Sequence, residues 1–547
     1  TSKAHHPIIF QLSYHQHGST HTQVYNFMDS SNYSLLNLPQ PTFLSSSHGT
    51  FSHIDLSLAH PSLYMDFTWN VLPDLHGSDH FPIILQSSKY LPAPQPTRWK
   101  LHAANWAAFG KLCDNTSSCS NISEFSEEIL NAALQTIPRT SGMPARKHRP
   151  WFDTACKAAI AKKKKALRKF KKSPTQSNLE EFRLFRAQAR RQLRSSRKLS
   201  WRKYVSTLNI HSSPHAVWKT VRSMQGKCQS TIPNHLADGN NTVTSLPDMA
   251  NHLAKQFAHN SSSENSSPSF TSYRNTQESI PIDFSSSNSE SYNIPFSLIE
   301  LQEAISSSHA TCPGADEIHY SMINHLPPIA VSHLLSLLND SWINNTLPPD
   351  WRHALVIPIS KPGKDPTQAN SYRPISLTSC LCKTFERMIN NRLVWVLESQ
   401  KLLSPLQCGF RKRHSTVDHL IRLDSFVKKA FRHSEHAVTV FFDLEKAYDT
   451  TWKYGILKDL HKLGFRGRLP LFILNFLQDR TFQVRIGSTL SDTFVQEMGV
   501  PQGCVLSVTL FSIKINSIVD TLSDNTVGSL FVDDFSTSCR SRDMSSI

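Results

Sequence analysis

HAVTVFFDL, spanning His436–Leu444, and VGSLFVDDFSTSC, spanning Val527–Cys539, carry most of the structural information in this chain. The first is a short run rich in β-branched and aromatic residues that ends in Asp443, the pattern of a buried central strand. An acid at the C-terminal end of such a strand lies where sheet enzymes place their ligands. Phe441 and Phe442 read as core positions. In the second stretch two apolar runs flank an Asp-Asp pair, which predicts a hairpin with Asp533 and Asp534 at its tip. If that hairpin pairs beside the first strand, Asp443 and Asp533 converge, with Asp534 adjacent.

Carboxylates that close repel one another unless a positive charge holds them. Magnesium is the usual solution, with Mn²⁺ a possible substitute. Two such ions roughly 3.5–4 Å apart can activate an attacking 3′-hydroxyl and stabilise a departing pyrophosphate. An Asp-Asp pair alone is weak evidence, because turns favour Asp anyway. Here it has company. Between the two stretches lies GVPQGCVLS, Gly499–Ser507, a Gly/Pro loop leading into an apolar helix through Leu510, Phe511, Ile515 and Ile518. Gly503 permits close backbone approach to a ligand, and Gln502 offers both a donor and an acceptor. Upstream, Lys361, Lys364 and Arg373 supply cations for a triphosphate. Asp449 reads as a helix-capping or loop residue rather than a metal ligand.

Working outward, 547 residues suit three or four domains. With 39% hydrophobic and 18% charged residues, the composition excludes collagen, coiled coil and wholly disordered classes. No stretch approaches the roughly 20 apolar residues of a membrane span. The N-terminus, Thr1-Ser2-Lys3, carries neither a secretory signal nor an initiator Met, so the chain reads as a fragment or as processed. Its ten cysteines are scattered; Cys380 and Cys382 are close-spaced but do not make a zinc site, and reduced intracellular thiols are expected.

The net charge of +16 is concentrated. Arg146–Lys203 holds 21 Lys and Arg against Asp153, Glu180 and Glu181, which exceeds the whole excess and points to a polyanionic partner, nucleic acid first. Within residues 155–209 two helices are predicted to meet at Ser173-Pro174-Thr175, the second opened by a capping box of Ser177 and Glu180. Leu179, Phe182, Phe185, Ala189 and Leu193 recur at helical spacing with Arg and Lys around them, as on a solvated charged helix or one that lies along phosphates. Residues 1–90 read as short strands and loops, including Ser34–Leu38, His53–Ala59 and Phe81–Leu85. Residues 258–293, with 13 Ser in 36 positions, read as a disordered linker. Beyond it, helices are expected at 298–306, 330–344, 381–398 and 415–432, and a strand at 351–359.

Five ordered blocks then carry a resemblance: Tyr372–Leu377 (YRPISL), Gln407–Arg411 (QCGFR), Phe442–Asp449 (FDLEKAYD), Gly499–Leu506 and Phe531–Asp534 (FVDD). Together, across about 190 residues, they closely resemble the reverse transcriptase of non-LTR (LINE-type) retrotransposons, the jockey-like group above all. The resemblance implies that Asp443, Asp533 and Asp534 are the catalytic, metal-binding carboxylates. It makes Tyr448 the gate that excludes a ribose 2′-hydroxyl. Gln502 and Gly503 become the loop against template and incoming nucleotide, and Arg373 and Lys361 the contacts to the triphosphate. Val532 departs from the Ala common at its position; the motif is expected to work with it.

A second pair of motifs lies upstream, GTFSHIDLSL at Gly49–Leu58 and GSDHFPI at Gly77–Ile83. Asp55 and His80 could form a dyad in which the carboxylate fixes the imidazole tautomer. As an ordered pair ahead of such a polymerase they resemble the C-terminal third of an endonuclease/exonuclease/phosphatase-type domain. That likeness implies that His80 acts at a scissile phosphate, Asp55 orients it and Asp79 lies beside the metal or leaving group. Lys3-Ala4-His5-His6-Pro7 resembles the segment after that family's Gly-Asp-Phe-Asn motif, without its Asp and Asn. The earlier metal-binding Glu is also missing, so the chain is not expected to nick DNA by itself.

The expected architecture is therefore α+β and multidomain. An α/β-sandwich endonuclease fragment (1–90) precedes a basic helical connector (91–257), a Ser-rich disordered linker (258–293) and right-hand polymerase fingers and palm (294–547). The expected function is RNA-directed DNA synthesis from a DNA 3′-hydroxyl with two Mg²⁺ ions and dNTPs, on an RNA template with a DNA primer or target. The alternative is a catalytically inactive nucleic-acid-binding fragment of a decayed element. No membrane association is expected, and the location would be intracellular, in the nucleus and a cytoplasmic ribonucleoprotein. Ending 13 residues past Asp534, the chain would lack a thumb and synthesise poorly.

Overall fold

The computed structural model describes residue 27 and residues 33–60, 64–87, 96–141, 151–209, 212–224, 235–239, 241–309 and 311–546. Lys3–Pro7 and Cys228 lie outside the described residues. The chain divides into two compact units, Thr1–Ala93 with Pro144–Gln229, and Pro94–Met143 with Ser230–Ile547. Both mix helix and strand.

In the first unit six short strands, β1 (Ser34–Leu35), β2 (Phe43–Leu44), β3 (Phe51–Ser52), β4 (Leu58–Ala59), β5 (Phe67–Val71) and β6 (Ile83–Ser87), form three antiparallel pairs, β1–β4, β2–β3 and β5–β6. Two long helices follow, α1 (Thr154–Lys172) and α2 (Gln176–Ser206). Asp153 caps α1 by accepting from Cys156 N at 2.7 Å. Thr175, directly after Pro174, caps α2 by accepting from Asn178 N. The capping box expected at Ser177 and Glu180 does not open the helix, because Thr175 starts it two residues earlier.

The apolar stripe of this helical pair is buried. Ala166, Leu167, Phe170, Leu179 and Phe182 share one core with Leu44, Leu75 and Phe81. At about 1.5–3 kcal/mol for each large side chain buried, that contact outweighs the reading of a helix solvated on all sides. Lys163 is buried with it, 2.9 Å from Asp74, which Lys164 also approaches at 3.3 Å. Most of the remaining Lys and Arg face outward, while Arg183 and Arg186 are half-buried.

The second unit opens with helices Trp106–Cys113 and Ile122–Thr136, whose Phe109, Phe125 and Ile129 join the core built by Leu334, Phe385 and Phe472. The single connector expected over 91–257 therefore does not form. Its N-terminal end packs into this larger core, its C-terminal end packs through Leu236, Met249 and Phe257 into a second core with Val356 and Val484, and only its central helical pair packs with the strands of the first unit.

A small hairpin, β7 (Leu236–Asp238) and β8 (Asn241–Val243), precedes helix Leu246–Asn260. Residues 258–293 are not a structureless linker. Helix Pro268–Glu278 is capped by Ser267, and Phe284, Tyr292 and Asn293 are buried. The serines serve as caps and turn acceptors, while a few anchors dock the segment: Asn293 Oδ1 accepts from Leu469 N at 3.0 Å, and Gly467 N donates to Phe284 O at 2.7 Å.

Two sheets carry the rest. The first contains β9 (His353–Ser360), β10 (Tyr372–Leu377), β12 (Thr481–Ile486), β13 (Thr489–Leu490) and β14 (Phe494–Val495). β10 runs antiparallel and β12 parallel to β9. The second is antiparallel, in the order β11 (His436–Phe442), β16 (Asp534–Ser541), β15 (Thr526–Phe531). Four helices position its loops: α3 (Cys380–Ser399), α4 (Thr416–Arg432), α5 (Ala447–Thr450) and α6 (Val505–Asn516). β11 is an edge strand rather than a central one, and Phe441 and Phe442 are 64% and 47% exposed. Its β-branched and aromatic content reflects strand propensity, which an edge strand shares with a buried one. No helix among the described residues is long and apolar enough to cross a membrane.

Candidate active site

The β15–β16 hairpin pairs Phe531 with Asp534, which leaves Val532 and Asp533 as its two turn residues. Val532 has φ of 61°, a left-handed backbone that a β-branched residue rarely adopts. In a two-residue hairpin this matches the right-handed twist of the flanking strands, and glycine usually supplies it. Here the turn is held from outside. The buried amide oxygen of Gln407 accepts from Val532 N at 3.1 Å and from Gly409 N at 2.8 Å. Cys408 N donates to Leu530 O at 2.9 Å, and Leu530 N to Leu406 O at 3.2 Å. Gly409 permits this contact, since a Cβ there would lie 2.4 Å from a Val532 methyl.

On the other side, β11 pairs with β16 so that Phe442 faces Phe535. Asp443 thus follows the last paired residue of β11, as Asp533 precedes the first residue of β16. Burial pushes the Asp533 carboxyl above its ordinary range, and the charges of Asp534 and Asp443 push it further. Tyr448, on α5, stacks on Phe511 of α6 with ring centroids 4.9 Å apart. Its hydroxyl is pushed up to about 12, by burial first and by the charge of Asp533 second.

The Gly499–Ser507 loop is pinned at both ends. Val500 N donates to Tyr448 O at 2.8 Å, and Gln502 O accepts from Ser376 N of β10 at 2.7 Å. Gly503, at φ +121°, sits where a Cβ would come within 2.6 Å of Ser376 O, so the loop can close on β10 only with glycine here. Gln502 Nε2 donates to Asp449 Oδ1 at 2.9 Å. Burial raises the Asp449 carboxyl, while Gln502, Lys446 and Lys361 pull it back. Asp449, Pro501, Gln502, Pro374 and Ser376 line one small cavity.

Residues 359–545 match the reverse transcriptase (RNA-dependent DNA polymerase) family. The chain carries a reverse transcriptase domain. It is 37% identical over 201 residues to the RNA-directed DNA polymerase from the mobile element jockey of Drosophila melanogaster, covering 37% of this chain and 22% of that protein. It is 32% identical over 306 residues to the probable RNA-directed DNA polymerase from transposon BS of the same organism, covering 55% and 32%. Identity to the probable RNA-directed DNA polymerase from its transposon X-element is 25% over 520 residues, covering 90% and 55%. The chain thus spans from about a fifth to just over half of these relatives' lengths. The domain is similar to those of these jockey-like, non-LTR elements.

Reverse transcriptases generally use divalent metal ions. Among the described residues no group of three or more His, Cys, Asp or Glu side chains is placed to hold one. The two carboxylates Asp443 and Asp533 nevertheless fit such an ion in kind. They are hard oxygen donors that repel each other across the sheet, and Mg²⁺ often takes only one or two carboxylates, completing its shell with water and substrate phosphates.

The reverse transcriptase domain also depends on two residues to which motif reading gave no role. Glu386 is fully buried on α3 and caps α6, accepting from Val505 N at 2.7 Å and Leu506 N at 3.1 Å. Burial raises its carboxyl against those hydrogen bonds and the charges of Arg480 and Lys383. Its signal was present in the sequence: an acid inside the apolar stripe of Cys382, Phe385, Ile389 and Leu393. Gln407 opens the QCGFR block, but nothing local shows what it braces, because one of its two backbone partners, Val532 N, is 125 residues away. Of the expected triphosphate contacts, Lys361 Nζ donates to Asn370 O at 2.9 Å, and Arg373 is exposed on β10.

In the first unit His80 Nδ1 lies 2.8 Å from Asp55 Oδ2 and 3.1 Å from Oδ1, with the two side chains 44% and 33% exposed. Buried Asn37 and Thr42 hold the loop that presents Asp55: Asn37 Nδ2 donates to Asp55 O at 2.8 Å, and Asp55 N to Thr42 Oγ1 at 3.1 Å. Thr42 O in turn accepts from Phe81 N at 2.6 Å, beside His80. Asp79 is partly exposed, and a bond from its own N–H holds its carboxyl below the ordinary range, with Arg186 and His80 adding to that.

Proposed function

We propose that the chain is an RNA-directed DNA polymerase of a non-LTR retrotransposon, extending a DNA 3′-hydroxyl on an RNA template from dNTPs. The observation that carries this reading is the meeting of Asp443 and Asp533, with Asp534 adjacent, beside a loop built around Gln502. The mixed sheet would be part of the fingers and the β11–β16–β15 sheet part of the palm. Asp443 and Asp533, with Asp534 adjacent and with water and substrate phosphates completing the shells, would hold two Mg²⁺ ions, or Mn²⁺ in their place. Bound there, the ions would supply activation of the primer 3′-hydroxyl and stabilisation of the pyrophosphate that leaves.

The chain's own residues do the positioning. Tyr448, held flat by Phe511, forms a rigid floor under the sugar and rejects a 2′-hydroxyl by contact. Asp449 takes the Gln502 Nε2 donor, which leaves the Gln502 amide oxygen to accept from the nucleotide. Arg373 and Lys361 receive the triphosphate as fork and point charge respectively. The first unit is read as an endonuclease-like fold in which Asp55 orients His80, Asp79 stands beside them and the basic helical pair contacts nucleic acid.

The test is addition of a single nucleotide to a DNA primer annealed to RNA, with Mg²⁺, read together with Mg²⁺-dependent dNTP binding. Addition is expected, and Asp533→Ala should lower it by about 10⁴-fold. Unchanged Mg²⁺-dependent dNTP binding in that variant would refute the assignment. A second reading, a chain that binds nucleic acid and synthesises nothing, draws on the basic segment and predicts binding without addition. The same assay on a DNA template separates the two polymerase chemistries.

A further inference from the structure

The serine-rich stretch lies outside every motif block, yet it is tied to two of them. Tyr448 stands on α5, which is only four residues long. A single helical turn does not hold itself, because its first hydrogen bond must fix several residues at once. Lys446, at its N-terminus, has a left-handed backbone and offers no capping side chain. The turn is fixed from outside. On one flank, Val500 N donates to Tyr448 O at 2.8 Å and Gly499 N to Thr451 O at 2.7 Å. The residues just before those donors are tied to the serine-rich stretch: Met498 N donates to Ser261 O at 2.9 Å, and Ser263 N to Glu497 Oε2 at 2.9 Å. That bond from Ser263 is the main reason that the Glu497 carboxyl lies below its ordinary range. On the other flank, Trp452 is buried two residues past the turn. Its Nε1 donates to Glu278 Oε1 at 2.7 Å, and Phe270 and Tyr273 meet its ring edge-on, with centroids 5.6 and 6.0 Å away. Both ends of the stretch are anchored in cores. Helix Leu246–Asn260 leads into it and buries Met249, Leu253 and Phe257 with Val356 and Val484 of the mixed sheet, and Phe284 follows in the larger core.

We propose that residues 261–278 form a strap that sets the selectivity of the nucleotide pocket for the sugar, with Glu278, through Trp452, and Ser263, through Glu497, as positioning residues for the Tyr448 wall. This rests on the reading of Tyr448 as the wall against a 2′-hydroxyl. Rejection by contact discriminates only while the wall keeps its place, and a displacement of about 1 Å is enough to lose it. Phe511 fixes the Tyr448 ring from one face, but not the backbone from which the ring projects. The strap supplies that, because it holds the chain on both sides of the turn. Glu278 and Glu497 are both exposed, so their removal loosens the turn without opening a core.

The experiment compares the whole chain with the double variant Glu278→Ala/Glu497→Ala and with Glu278→Gln/Glu497→Gln, which keeps an acceptor at both ties. Hydrogen–deuterium exchange, read by mass spectrometry on peptides across residues 446–452, reports the turn whether or not the chain adds nucleotides. Exchange there is expected to rise about tenfold in the Ala pair, as for the loss of a hydrogen bond's net worth, and less than about twofold in the Gln pair. In single-nucleotide addition, kcat/KM for an rNTP relative to the matching dNTP should rise about tenfold in the Ala pair, with kcat for the dNTP within about twofold. The Gln pair should restore the discrimination of the unaltered chain. Unchanged exchange in the Ala pair, equal effects of the Ala and Gln pairs, or faster exchange with discrimination unmoved would overturn the proposal. Absence of addition with either nucleotide, alongside the expected exchange difference, would fail the polymerase reading and the sugar selection that rests on it, and would leave the hold of the strap on the turn supported.

Discussion

Two turns in the reverse transcriptase domain solve one backbone problem in opposite ways. Gly503 takes φ of +121° and leaves no side chain to collide with Ser376, so the strain is absent from the start. Val532 takes φ of 61° with a β-branched side chain, and the surrounding structure must hold it there. The brace is Gln407, a buried side chain from another loop that satisfies two backbone N–H groups with one oxygen. A turn relieved by glycine is robust by itself, whereas a braced turn is only as stable as its brace. The braced turn carries Asp533, so the placement of the carboxylates depends on a residue that touches none of them.

The sharpest way to break this contrast is Gln407→Leu. It leaves the N–H groups of Val532 and Gly409 without an acceptor, at about 1–3 kcal/mol each. Removing an amide nitrogen that itself has no partner among the described residues offsets part of that. A net loss of about 2–4 kcal/mol, read by urea denaturation, is expected, with nucleotide addition abolished. Gly503→Ala should cost less, about 1–3 kcal/mol, while displacing the Gln502 loop from β10. A stable Gly503→Ala chain that adds nucleotides at the normal rate would show that the loop does not need its contact with Ser376.

Asp449→Asn tests what the placed loop presents. With an amide opposite it, Gln502 can turn over and offer its donors instead of its oxygen. The dNTP KM is expected to rise about tenfold with kcat within about twofold, the signature of lost uniform binding; an equal fall in kcat would mean that Asp449 acts at the reaction itself. Smallest of all should be Val532→Gly. Relief of the left-handed backbone, about 1–2 kcal/mol, opposes the loss of a buried Val side chain, about 1.5–3 kcal/mol. The unfolding free energy should therefore change by no more than about 2 kcal/mol. A large loss would place the stability of the turn in the Val532 side chain rather than in Gln407.

The same division between local and distant causes runs through the whole molecule. The hairpin at Val527–Cys539, the helices at 380–399, 416–432 and 505–516, the strand at 353–360 and the break at Pro174 were legible in the residues, because each rests on a local pattern: alternation, helical period, a cap or a proline. So was the pairing of Asp55 with His80 as a possibility. What misled was composition without context. The apolar run at His436–Phe442 is an edge strand, and the serines of 258–293 cap helices and accept from turns beside a few buried anchors.

Sequence alone determined which residues are the domain's candidates for chemistry, since acids, amides and glycines in a fixed order are readable one block at a time. Only the tertiary structure decided that Gln407 holds the Val532 turn, that Glu386 caps the helix after the loop, that Asp449 orients Gln502, and that Arg186 acts on Asp79. Each of these is a bond between groups more than 50 residues apart or a charge met across two segments. Such contacts depend on how apolar faces pack, and no local periodicity encodes them.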